Sequence, residues 1–343
     1  MTMKICIYGA GAIGGYLAAG LAGHADVDLS VVARGRHLAA MQQNGLVLEI
    51  GGERRHVMVR ATDDPSMLGA QDYVIVALKA HQAGQAAPQM QPLLDAQTHV
   101  VTCQNGVPWW YFHQLQGYSD RRIVSVDADD QQWRLIGPKR AIGCVVYPAT
   151  EIVAPGVIRH HYGDKFPLGE PDGTISERCL RLSAILEASG FRAPVLDDIR
   201  SEIWLKLWGN LCFNPISALT RATLDVVATD GDTRALARAM MLEAQSVATK
   251  LGARFRVDVD RRIDGAAKVG PHRTSMLQDL ENGRAMEIDA LVSAVQELGH
   301  VVGVPTPCID IVLGLVRQLG RSQGTYPALS EQTAFAHRGA TAA

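Results

Sequence analysis

Lys206, Asn210 and Asn214 are spaced by four inside "WLKLWGNLCFNPISAL", a stretch dominated by Trp, Leu, Phe, Ile and Cys. On an α-helix, residues four apart share a face. An ammonium and two amides therefore form one narrow polar stripe. Ile203, Leu207 and Leu211 flank it on one side, and Trp204, Trp208 and Cys212 on the other. A helix apolar nearly all round is buried, and burying such polar groups is costly unless each finds a partner. One reading is a structural network, with Lys206 paired to an acid and each amide capping a loop. The other is chemical: a desolvated lysine has its pKa drawn towards neutrality and can hand a proton to a carbonyl oxygen, while the amides orient the substrate. Asn214 precedes Pro215, which predicts a kink or a helix end there.

A second constellation lies at the start of the chain. Gly9-Ala10-Gly11-Ala12-Ile13-Gly14 follows an apolar strand and opens a helix, the context that a dinucleotide fingerprint requires. Gly9 permits the tight turn, Gly11 lets the backbone approach a pyrophosphate, and Gly14 allows close helix–strand packing. Twenty residues after Gly14 an NAD site usually carries an acid that holds the ribose hydroxyls. Here "SVVARGRH" has no acid and offers Arg34, with Arg36 beside it. A guanidinium suits a 2′-phosphate, so the expected cofactor is NADP (NADPH). With a nicotinamide present, the Lys206 stripe acquires a use: protonating a ketone oxygen as hydride reaches the carbon.

The elements around these groups are legible in outline. "KICIYGAGAIGGYLAAGLAG" reads as strand, turn and helix; residues 5–22 carry no charge, but their glycine pattern fits that unit better than a signal peptide or a membrane span. "DVDLSVVAR", "DYVIVALKA" and "HVVTCQNG" read as strands, "LVLEIGGERRHVMVRAT" as a hairpin, and "AIGCVVYPATEIVAPGVIRHHYG" as two or three more strands. From about residue 197 helical patterns take over. The expected architecture is α/β: an N-terminal Rossmann-type doubly wound sheet over 1–197, an all-helical domain over 198–328, and a flexible tail over 329–343. At 47% hydrophobic and 20% charged, with a net charge of −2, the 343-residue chain gives no reason to expect nucleic acid or a membrane surface. Six scattered Cys argue for reduced thiols in a cytoplasm and against a metal site or a disulfide framework.

Taken in order, "GAGAIG", "LKAHQ", "QNG", "WLKLWGNLCFNP", "SMLQDLENGRAMEID" and "GVPTP" resemble the ketopantoate reductase (2-dehydropantoate 2-reductase) family over about residues 3–320. The resemblance implies a Rossmann domain followed by a helical domain, an active site in the cleft they form, and NADPH-dependent reduction of a 2-oxo acid to a 2-hydroxy acid. By position it makes Lys206 the proton donor and Asn210 and Asn214 substrate ligands. Ser275 would contact the substrate carboxylate or hydroxyl. Lys79, Asn105 and Ala149 would line the cofactor and the cleft, and Glu287 would meet Lys206 or the nicotinamide ribose. Asp279 reads as structural, since a second acid would repel a carboxylate substrate.

Some positions depart from the family pattern: Trp109-Trp110 after "QNG", Met286, Val292-Ser293, Leu224-Asp225, and an extra segment over 127–143. At least one of the two Trp is expected to border the cleft. A reshaped pocket would admit another 2-oxo acid. The alternatives are thus a paralogous reductase, a non-catalytic NADP(H) sensor, or a β-hydroxyacid dehydrogenase, which also pairs a helical Lys with an Asn four residues on. Retention of Lys206 and Asn210 speaks against the sensor, and the Ser275–Glu287 segment against the dehydrogenase. The apolar helices leave room for a homodimer.

Overall fold

The computed structural model describes residues 2–118 and 120–328. The chain divides into two compact units: one comprises the chain up to Arg122 together with Asp130–Ile199, the other Ile123–Asp129 and the chain from Arg200 onward. The sequence pattern held no sign of the short excursion Ile123–Asp129. The tail expected over 329–343 lies outside the described residues.

The first unit holds two sheets. In chain order its elements are β1 (Met3–Tyr8), α1 (Ala12–Leu21), β2 (Val27–Val32), α2 (Gly35–Asn44), β3 (Leu46–Ile50), β4 (Glu53–Val57) and β5 (Arg60–Thr62). They continue with β6 (Tyr73–Val76), α3 (Ala80–Ala86), β7 (His99–Cys103), β8 (Ala141–Cys144), β9 (Ala149–Ala154), β10 (Val157–Tyr162), β11 (Leu168–Gly169) and α4 (Glu177–Ala188). The large sheet has the order β11-β8-β7-β6-β1-β2-β5. All its pairs are parallel except the antiparallel β11 edge. Every residue of β6 is buried, as an apolar run covered on both faces should be. Ile5, Ile7, Val31, Tyr73, Ile75, Val101 and Ile142 of the sheet share one core with Leu17 and Leu21 of α1.

The hairpin expected over 46–62 is β3–β4, but it belongs to a second sheet of order β4-β3-β10-β9. Only β5 continues into the large sheet. The segment before β8 folds as short irregular turns, Gln132–Ile136 and Pro138–Arg140.

A buried ion pair closes the far edge. Glu170 accepts from Arg178 Nε at 2.6 Å, and Arg178 also donates to the Lys139 and Ala141 carbonyls. Burial pushes the Glu170 carboxyl up, but the Arg178 and Ser176 hydrogen bonds outweigh it and hold the group below its usual range.

Among the described residues the second unit has helices and no strands: α5 (Ile199–Thr220), α6 (Leu224–Thr229), α7 (Gly231–Lys250), α8 (Val259–Ala267), α9 (Ser275–Glu281), α10 (Ala294–Val302) and α11 (Pro307–Ser322). A π-helical turn, Asp289–Ser293, precedes α10. Short α6 and α8 were not expected, since neither carries a long apolar stripe. Each starts instead on a polar residue, and the Asp258 side chain caps α8 at Arg261 N. Glu243 of α7 accepts from the Cys308 and Ile309 amides, which begin α11. Glu297 of α10 accepts from the Val124 and Ser125 amides and so holds the Ile123–Asp129 excursion. No helix among the described residues is long and apolar enough to cross a membrane.

Arg178→Met leaves the Glu170 carboxylate buried without its partner, which should cost about 3–5 kcal/mol of stability at neutral pH. A carboxyl held below its usual pKa contributes above the ordinary Glu range and loses that contribution as pH falls through it. The difference in Tm between wild type and variant, followed by calorimetry, should therefore shrink below about pH 4.3.

Candidate active site

The chain runs from β1 to β2 and β5 in one direction across the large sheet and to β6, β7 and β8 in the other. Ligands of such sheets bind outside the carboxyl ends of the strands where the order reverses. The Gly9–Gly14 turn follows β1, Lys79 follows β6, and Asn105 follows β7, so all three groups are carried at that end.

The turn is built for close approach. Gly9 has φ +100°, the left-handed region that glycine tolerates. A Cβ on Gly14 would lie 2.0 Å from the Gly9 carbonyl oxygen, so only hydrogen fits where α1 meets the turn. A Cβ on Gly11 would meet nothing within 4 Å. Gly11 is the N-cap of α1 and supplies no side-chain cap, which leaves the helix amides available to an anion. Ala10 is buried, and Ala12 and Ile13 open the helix. The residues present thus suit a pyrophosphate.

Arg34 is exposed and is the N-cap of α2; Arg36 is exposed in its first turn. Burial and Cys6 push the Tyr8 hydroxyl up, while the Arg34 charge pulls it down, which puts the guanidinium's field at the end of β1. Lys79 is the half-buried N-cap of α3. Asn105 is half-buried and followed by Gly106 at φ +92°, so it occupies a strand end and a turn at once. Gln104, which the sequence reading passed over, donates from Nε2 to the Leu78 carbonyl at 2.9 Å and ties the loops after β6 and β7. His37 of α2 was also passed over. Its Nδ1 accepts from the Gly156 amide at 2.8 Å, joining α2 to the β9–β10 turn, and burial lowers its pKa. Ala149 is placed differently from the rest, as the first residue of β9 in the second sheet.

In the second unit, Lys206 and Asn210 are half-buried on α5, while Ile203, Trp204, Leu207, Trp208, Leu211 and Cys212 around them are buried. Trp208 Nε1 donates to the Met241 carbonyl at 2.6 Å and fixes α5 on α7. The helix does not end at Asn214. It continues through Pro215 to Thr220, because proline costs one helix hydrogen bond and the surrounding burial, Ile216 at 1% and Ser217 at 0% exposure, outweighs that loss. Asn214 is buried, and its Nδ2 donates to Ser275 Oγ at 3.3 Å. Ser275 is exposed at the first position of α9, behind the cap residue Thr274. Two of the residues that the resemblance assigns to substrate thus meet.

Glu287 is buried in an irregular segment before the π-helical turn rather than within a helix. Asp279 pairs with Arg284 at 3.1 Å, a structural role. Among the described residues no group of three or more His, Cys, Asp or Glu could hold a metal.

Two departures lose their functional reading. Trp109 and Trp110 are 3% and 0% exposed. Trp110 Nε1 donates to Thr102 Oγ1 at 2.9 Å, and Trp109 packs edge-on to Trp133 of the extra segment. The expectation that one of them borders the cleft is corrected: both belong to the core of the first unit. Asp225 accepts from Thr223 Oγ1 at the start of α6, a local turn contact.

Comparison with known proteins now bears on this arrangement. Residues 5–173 match the family described as ketopantoate reductase PanE/ApbA, and residues 198–320 its C-terminal domain. The chain belongs to the ketopantoate reductase family. It is an oxidoreductase of that family. A 2-dehydropantoate 2-reductase of Mesorhizobium japonicum is 60% identical over 325 residues, 94% of this chain and 100% of the relative. A crystal structure assigned to a ketopantoate reductase of Ralstonia solanacearum is 41% identical, with TM-score 0.90 over 95% of this chain and 100% of its own. The ternary structure of D-mandelate dehydrogenase with NADH and anilino(oxo)acetate shares the fold, at 20% identity and TM-score 0.80 over 94% of this chain and 100% of its own.

Gly14→Ala forces the turn and α1 apart. Loss of amide contacts to a charged phosphate should weaken dinucleotide binding by roughly 10- to 100-fold, read by fluorescence titration of the folded variant.

Proposed function

We propose that the protein reduces ketopantoate (2-dehydropantoate) to pantoate with NADPH, in the cytoplasm, as a step towards pantothenate and coenzyme A. The observation that carries this reading is the half-buried Lys206–Asn210 stripe on an otherwise buried face of α5, continued by the Asn214–Ser275 hydrogen bond. Gly9–Gly14, Lys79 and Asn105 would hold the dinucleotide, and Arg34 its 2′-phosphate. Bound nicotinamide supplies the hydride to the carbonyl carbon.

Negative charge then builds on the ketone oxygen, and a donor within about 2.6–3.2 Å must neutralise it. Lys206 is the group of the stripe with a transferable proton. Arginine is unsuited to the task, since its pKa above about 12 holds the proton. Asn210, Asn214 and Ser275 orient the polar groups of the acid. Glu287, which is buried, would hold the Lys206 ammonium before substrate arrives or meet the nicotinamide ribose; Ala149 is the weakest of the assigned cofactor contacts, given its place in the second sheet. The Trp109–Trp110 pair, now in the core, no longer argues for a substrate other than ketopantoate. The exposed Ile311 and Leu315 side chains of α11 support a homodimer.

With the folded protein, NADPH oxidation should be fastest with ketopantoate in a panel of 2-oxo acids. Oxidation with none of them would favour an NADP(H) sensor. Lys206→Ala should lower kcat by roughly 10²- to 10⁴-fold, the usual worth of a general acid, with NADPH affinity nearly unchanged. Wild-type rates in that variant would reduce Lys206 to an ion-pair partner. Arg34→Ala should remove the preference for NADPH over NADH in cofactor titrations.

A further inference from the structure

Gly209 is an unfavourable residue for the middle of α5, where glycine gives up stability relative to alanine. Its place is explained by what lies over it. A Cβ at Gly209 would stand 2.5 Å from Arg262 Nη2 and 3.3 Å from Arg262 Cζ. The half-buried guanidinium, carried by α8, therefore rests on bare α5 backbone. Gly209 is three residues after Lys206 and so neighbours it on the helix surface, which brings Arg262 to α5 at the Lys206 edge of the polar stripe. Its field also reaches Cys212 on the apolar flank: burial pushes that thiol well up, the Arg262 charge opposes the shift, and the Glu243 charge adds to it.

A 2-oxo acid presents two anionic or developing-anionic oxygen groups, the carboxylate and the ketone. Lys206 spends its proton on the ketone oxygen, and Asn210, Asn214 and Ser275 are neutral. The carboxylate calls for a second cation, and the planar guanidinium fork matches it with two parallel hydrogen bonds.

We propose that Arg262 binds the carboxylate of the 2-oxo acid, and that Gly209 is the clearance through which it reaches the Lys206 stripe. This rests on the reading of that stripe as a 2-oxo acid reductase. The test compares a 2-oxo acid with its methyl ester under NADPH. Arg262→Gln should lose roughly 10- to 100-fold in kcat/KM on the acid, through KM, with little change on the ester and none in NADPH affinity. Arg262→Lys should recover part of the loss. Gly209→Val, which leaves Arg262 in the chain but fills its seat, should reproduce the loss with a cooperative melt retained. An acid-to-ester ratio unchanged in Arg262→Gln, or in Gly209→Val should the first variant fail to fold, overturns the proposal. If wild type reduces no 2-oxo acid, the activity reading fails by itself. Calorimetric binding of a 2-hydroxy acid, weakened in Arg262→Gln or equal to wild type, then decides the carboxylate site separately.

Discussion

An ammonium kept in an apolar helix constrains everything near it. The residues flanking it are buried, so each polar group on α5 that they enclose must be answered by another group or by a ligand. Asn214 is answered by Ser275, Trp208 by the Met241 carbonyl, and Ser217 by the Ala222 carbonyl. These bonds fix α5 in rotation and position against α7 and α9. Lys206 and Asn210, four residues apart, share one face of the helix so fixed. A mobile helix could not keep the donor proposed above within hydrogen-bond reach of a particular oxygen. The apolar sides of α5 therefore serve the polar stripe: they make its orientation unique and strengthen every charge interaction it enters.

The first unit meets the opposite requirement. A dinucleotide carries its charge on phosphates, and the response is open backbone rather than a buried side chain. Gly14 brings α1 against the Gly9 carbonyl, and the helix amides then face outward from a fixed point at the end of β1. The second sheet supports this from behind, through the Gly156 amide bond to His37 on α2. The strand ends, not the strand sequences, carry the residues that would make the contacts.

Much of this was legible in the sequence because two periodicities are strong. The glycine spacing after an apolar strand and the four-residue spacing of polar groups in an apolar run each follow from backbone geometry alone. What escaped depends on pairings distant in the chain. Nothing in "LVLEIGGERRHV" states that its partner is β10 rather than a neighbour in the large sheet. Trp109 and Trp110 looked like pocket residues because they follow Asn105, yet Thr102 and Trp133 claim them for the core. Pro215 looked like a stop, yet burial on every side carried the helix past it. Gly209 had a readable signal, a helix-weakening residue in a buried helix, whose meaning required α8 to be in place.

The charge of the chain is nearly balanced at −2, although both expected ligands are anions. Long-range attraction cannot therefore select them, and at physiological salt it would fade within about 8 Å in any case. Selection must come from cations placed at contact distance. These cations differ in solvation: Arg34 and Arg36 are exposed, where a bound phosphate would keep much of its water, whereas Lys206 and Arg262 are half-buried. A buried cation costs more to hold but interacts more strongly with a carboxylate, because the effective dielectric is lower there. The proposed seat of Arg262 beside Lys206 would set two cations against each other, which favours release of the lysine proton. The arrangement that would recognise the acid is thus the one that would make its neighbour a better proton donor.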